Sequence, residues 1–159
     1  MLTVNNLTKR FGDLTAVDQV SFHVNEGEIF GLLGENGAGK TTTLRMLATM
    51  LQPTSGTAAL AGYDLVTQPE QVRSRIGILF GGESGLYDRL TAAENIAYFG
   101  RLNNMDEDQL KERIEELARI FGMEEYIHRK AGKFSKGMKQ KVAFARSIVH
   151  NPDIMLFDE

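Results

Sequence analysis

GENGAGKT, running from Gly34 to Thr41, decides the fold class of this chain. Glycine, four residues, glycine, lysine and threonine form the pattern of a phosphate-binding loop. Gly34, Gly37 and Gly39 let the backbone curl until several N–H groups converge on phosphate oxygens. Glu35, Asn36 and Ala38 complete the curl. Lys40 is placed to reach the β- and γ-phosphates of a nucleotide, and the Thr41 hydroxyl to ligate Mg²⁺. Thr42 follows in the first turn of a helix whose positive end adds to the attraction.

The flanks suit that loop. Residues 28–33, with the apolar run IFGLL, read as a strand leading into it. Residues 40–51 read as a helix with Leu44, Leu47 and Leu51 on one face. Before them, 2–7 and 16–24 read as strands separated by a turn at Gly12 and Asp13, and 57–60 reads as another. Residues 75–80 give a further strand, and 81–88 a glycine-rich functional loop.

The next stretch is helical. Thr91 is a helix cap with Glu94 as its capping-box partner. Residues 105–121 carry Leu110, Ile114, Leu117 and Phe121 at helical spacing, with Gly122 as terminator. A further helix runs from the FSKGMKQK stretch toward His150, is broken at Asn151 and Pro152, and is followed by a short strand at 154–157. The order describes an α/β domain with a helical insertion.

The chain has 159 residues, a formal net charge of −3 and no cysteine. That length suits one domain. The charge gives no global field for nucleic acid, and the lysines around the FSKGMKQK stretch are too few to reverse that. Without cysteine there is no disulfide framework and no thiolate metal site. No apolar run approaches the roughly 18 residues that span a bilayer. Work at a membrane therefore calls for a partner that supplies the spanning part.

Asp158 and Glu159 narrow the chemistry. An aspartate ending an apolar strand near a phosphate loop holds Mg²⁺ directly or through water. The adjacent glutamate can orient the attacking water or accept its proton. The stretch Phe134-Ser135-Lys136-Gly137-Met138-Lys139-Gln140 then resembles the signature of ABC-type ATPases, usually a serine, two glycines and a glutamine. Phosphate loop, signature and acidic pair stand in that family's order along the whole chain.

The resemblance implies a P-loop NTPase (RecA-like) core with an antiparallel β subdomain and an α-helical subdomain, cut after the strand that ends in the acidic pair. Residues 1–82 are the expected nucleotide-binding and β part, 83–134 the mostly helical part, and 135–159 the signature helix and last strand. It also implies ATP and Mg²⁺ as ligands, and a head-to-tail pair of subunits sandwiching ATP. Each nucleotide would lie between the 34–41 loop of one copy and Ser135, Lys136 and Gly137 of the other. The catalytic set carried over is Lys40 and Glu159. Phe11 is the expected ring against adenine, with core burial as its competing role, and Val17 completes the base pocket.

Three departures from the family stand out. The glutamine expected after the 75–80 strand is replaced by Gly81 and Gly82, so Glu83 is the candidate for its catalytic role, with solvent exposure the alternative. Lys136 stands where a signature glycine is usual. The family also continues beyond Glu159, so this stretch alone is expected to hydrolyse ATP poorly.

Residues 80–102 and 113–159 look like the ATP-binding subunit of bacterial sodium-exporting ABC transporters, within a wider group of drug and lipid exporters. The resemblance implies a multi-span membrane permease as partner, with Leu86 and Tyr87 as docking residues, and a place on the cytoplasmic face of the membrane. A soluble ABC ATPase of translation or DNA repair is the alternative.

Overall fold

The computed structural model describes residues 1–81 and 85–158, which cluster into two compact units. The first comprises 1–78 and 153–158, the second 79–152. The signature helix, grouped in the sequence with the last strand, falls in the second unit, and that strand in the first.

Strands β1 (Leu2–Phe11) and β2 (Leu14–Val24) form a hairpin, with β3 (Ser55–Leu60) antiparallel on the other side of β1 and β4 (Tyr63–Asp64) beyond it. Leu2 and Val4 are buried opposite Leu60 and Ala58, so alternation along the start of β1 sets the register, and Leu7 is buried beyond the irregularity that follows. The pairing is irregular. Asn6 and Gln19 take left-handed conformations, with register shifts after Val4 and after Leu7. At this irregularity the buried Thr8 hydroxyl accepts the Gln19 N–H at 3.0 Å, and Ser21 Oγ accepts that of Asn6 at 2.8 Å. Side chains thus satisfy amides released from the ladder.

After the phosphate-loop segment come α1 (Lys40–Leu47) and α2 (Pro69–Arg75), then β5 (Ile76–Leu79), which pairs with β6 (Ile154–Phe157). Two expectations fail here. Residues 28–33 form no strand, with Ile29 100% and Leu33 96% exposed. Apolar composition alone does not make a strand: its N–H and C=O groups need neighbours, and among the described residues none pairs with this segment. Helix α1 ends at Leu47 rather than Leu51, because Thr49 turns left-handed and its N–H bonds back to Met46 O at 2.9 Å.

The second unit holds α3 (Ala92–Leu102), α4 (Glu107–Phe121) and α5 (Lys136–Ile148), with a single 3₁₀ turn at Ala131–Lys133. Thr91 and Glu94 form the expected capping box. The bonds from Thr91 hold the Glu94 carboxyl below its usual range. Asp106 caps α4 and Gly122 ends it in the left-handed conformation. Ile96, Leu110, Leu117, Met123, Phe134, Val142 and Val149 make one core, each large aliphatic worth about 1.5–3 kcal/mol when fully buried.

Gly56 is the tightest backbone contact in the hairpin sheet. It has a left-handed φ of 82°, and a Cβ there would collide with Asn6 O. Gly56→Ala should therefore lower stability by about 1–3 kcal/mol, seen as a lower urea midpoint; an unchanged midpoint would show that β1 and β3 can separate there freely.

Candidate functional site

The 34–41 loop owes its shape to where its glycines sit. Gly37 and Gly39 have φ of 88° and 85°, in the left-handed region where a side chain is strained. Gly39 is further constrained by packing. A Cβ there would strike Ala16 O and come within 3.0 Å of Val17 Cγ2. The loop therefore rests directly on β2. Gly39 is also the N-cap of α1, and its carbonyl accepts the Thr43 N–H at 2.8 Å.

Lys40 folds over this curl. Its Nζ donates to the carbonyls of Gly34 at 2.6 Å and Glu35 at 2.9 Å. A cation held by neutral carbonyls is readily drawn to a stronger anionic acceptor. One position on, Thr41 Oγ1 donates to Asp158 Oδ1 at 3.2 Å, joining the start of α1 to the end of β6. Thr42 lies half-buried in the same helical turn, while Glu35, Asn36 and Ala38 remain exposed on the loop.

Among the described residues no group of three or more His, Cys, Asp or Glu forms a ready-made metal cage. A hydroxyl–carboxylate pair beside a phosphate loop suits Mg²⁺, which keeps several waters and takes few protein oxygens together with phosphate oxygens. The residues present thus fit that ion better than a fully protein-ligated metal.

The two expected base-contact residues differ. Phe11 is 49% exposed, with the Lys9 ammonium 5.1 Å from its ring centroid. That exposure removes core burial as its role, although the Lys9 ammonium sits over the ring. Val17 is 5% exposed and supports Gly39, so its visible work is to shape the loop.

In the second unit, Ser135 caps α5. Its Oγ accepts the Met138 N–H at 3.2 Å, leaving the hydroxyl proton to donate outward. A Cβ at Gly137 would meet nothing within 4 Å, and Ser135, Lys136 and Gly137 are all exposed. The N-terminus of α5 is therefore an open surface that favours negative charge. Glu83 and Glu159 lie outside the described residues.

Sequence reasoning singled out Leu86 and Tyr87 but missed what holds them. Asn95, fully buried on α3, accepts the Tyr87 N–H at 2.8 Å and donates to Thr91 O at 2.9 Å and Tyr87 O at 3.2 Å. Tyr87 and Tyr98 meet edge to face at 5.3 Å, both partly exposed, and hydrogen bonding to Tyr87 pushes the Tyr98 hydroxyl pKa up.

The family model described as ABC transporter matches residues 17–159. The chain belongs to the ABC transporter family. Among ABC relatives, it is 53% identical to the ABC transporter ATP-binding protein NatA of Bacillus subtilis, over all of this chain and 66% of NatA. It is 38% identical to the probable multidrug ABC transporter ATP-binding protein YbhF of Escherichia coli, over all of this chain and 27% of YbhF. This chain thus spans less than two thirds of either relative's length. An ABC-transporter ATP-binding subunit of known structure superposes with a TM-score of 0.88 at 30% identity, over 99% of this chain and 65% of that one. A dimeric ATP-binding cassette bound to ADP and phosphate gives 0.84 at 26%, over 100% and 74%. These likenesses establish the RecA-like P-loop fold with its β and helical subdomains.

Gly39→Ala tests the loop without removing a charged group. The clash with Ala16 O should weaken binding of a fluorescent ATP analogue by about tenfold or more, the equivalent of about 1.4 kcal/mol. Parent-like affinity would show that the loop does not depend on its seat against β2.

Proposed function

We propose that the whole protein is the ATP-binding and ATP-hydrolysing motor subunit of a membrane exporter. The observation that carries this is the loop seated on β2, with Lys40 folded over it and Thr41 bonded to Asp158. Lys40 exchanges the Gly34 and Glu35 carbonyls for phosphate oxygens, and the loop amides complete the cradle. Thr41 and Asp158 hold Mg²⁺, which neutralises phosphate charge when bound. Glu159 orients the attacking water or takes its proton, and Glu83 assists from the 81–88 loop. Phe11 stacks on the base.

Two copies pair head to tail, so that Ser135, Lys136 and Gly137 of one approach the nucleotide held by the other. The open, electropositive start of α5 supports this, as does the dimeric state named for one structural neighbour. The membrane-spanning partner is a permease, on the resemblance of residues 80–102 and 113–159 to the ATP-binding subunits of exporters. Tyr87 and Leu86 dock it at the cytoplasmic face. The cargo favoured is Na⁺, on the resemblance of residues 80–102 and 113–159 to sodium-exporting subunits.

In the full-length protein with its permease, Glu159→Gln should cut turnover by about 100-fold or more while ATP still binds. Retained turnover would remove Glu159 from the chemistry. Inside-out vesicles carrying the parent complex should accumulate ²²Na⁺ on ATP addition. Transport of a drug without Na⁺ would reassign the cargo and leave the motor role standing.

A further inference from the structure

We propose that Asn95 is a positioning residue for the signature serine, acting through the 85–91 loop. The inference rests on the head-to-tail pairing described above, in which Ser135 meets the nucleotide of the other copy.

The loop is caught on two sides. From α3, Asn95 reads its backbone with both ends of the amide. Besides its bonds to Tyr87 and Thr91, Nδ2 lies 3.4 Å from Leu90 O. From the opposite side, the amides just before the signature reach in. Ala131 N–H donates to Leu90 O at 2.9 Å, and Gly132 N–H to Asp88 O at 3.1 Å. Helix α5 adds two cations: Lys139 meets Asp88 Oδ1 at 3.3 Å, and Arg146 donates to Gly85 O at 2.8 Å. The Arg146 guanidinium also lies 4.5 Å from the centre of the Phe99 ring.

This joint leads straight to Ser135. The turn Ala131–Lys133 is followed by Phe134 and then by the serine that caps α5. Ala131 and Phe134 are buried in the helical core, so the turn has little room to absorb a shift of the loop. A displacement at 87–90 is therefore passed to the start of α5. Asn95 is suited to this task because it supplies an acceptor and two donors from one short, fully buried side chain. An aspartate would still accept the Tyr87 N–H but would offer nothing to the carbonyls of Tyr87, Leu90 and Thr91.

Two variants of the full-length protein approach the joint from opposite sides. Asn95→Asp removes the donors. Gly132→Ala adds a Cβ 3.1 Å from Asp88 O and 3.2 Å from Asp88 Cβ, so the loop must give way from the signature side. Three quantities are read: affinity for a fluorescent ATP analogue, ATP-driven pairing by sedimentation in a hydrolysis-deficient background, and hydrogen exchange at the Ala131 and Gly132 amides. We expect both variants to keep the parent's nucleotide affinity and to pair about tenfold more weakly, with faster exchange at those two amides in Asn95→Asp. If Asn95→Asp does not fold, Gly132→Ala decides alone. Parent-like pairing in either folded variant overturns the inference, as does an equal fall in nucleotide affinity and pairing, which would mark general loosening. A parent that binds ATP but never pairs overturns the pairing on which the inference rests as well.

Discussion

The close approach of Gly39 to the Ala16 backbone and the Val17 side chain is the constraint on which the rest of the nucleotide-binding unit depends. It leaves no volume for a side chain, and the left-handed φ at that residue excludes one on conformational grounds too. With Gly39 seated, α1 must begin at Lys40, its first amides must face the curl, and Thr41 must lie where Asp158 can bond it. The long hairpin of β1 and β2 thus acts as a foundation. Its bulges at Asn6 and Gln19 are part of that construction, since Thr8 and Ser21 meet the amides they release.

The helical unit follows a different logic. Its stability comes from a shared apolar core between α3, α4 and α5, and its polar bonds serve mainly to fix chain direction. The Thr91 capping box, the Asp106 cap and the Gly122 stop set where helices begin and end. Asn95 then fixes the loop that no helix can contain. The result is an exposed aromatic pair, Tyr87 and Tyr98, and an exposed signature serine, both referred to the same buried frame.

Much of this was legible in the residues. Glycines at fixed offsets, a lysine and a threonine specify a phosphate loop because few other arrangements satisfy a dense anion. The capping box and the Gly122 stop were equally plain, since each is a local signal with a local cause. The strand expected at 28–33 was not. Its apolar composition is a statement about burial, whereas strand formation depends on partners distant in sequence. The closeness of Val17 to Gly39 is a tertiary fact that its place in the sequence does not display. Asn95 left no trace at all: one amide within AAENIAYF has no period, and its value lies in carbonyls that only the folded loop brings together. Short α2 was missed for want of length.

Central to the proposed function is a triphosphate site at the 34–41 loop, as built on β2, in which Lys40 changes partners. The direct measurement is a crystal structure of the full-length protein with Mg²⁺ and a non-hydrolysable ATP analogue. Lys40 Nζ should have left the Gly34 and Glu35 carbonyls for phosphate oxygens, with Thr41 and Asp158 beside the ion and Gly39 still against Ala16. An analogue bound elsewhere, with Lys40 still on its carbonyls, would contradict a triphosphate site at this loop.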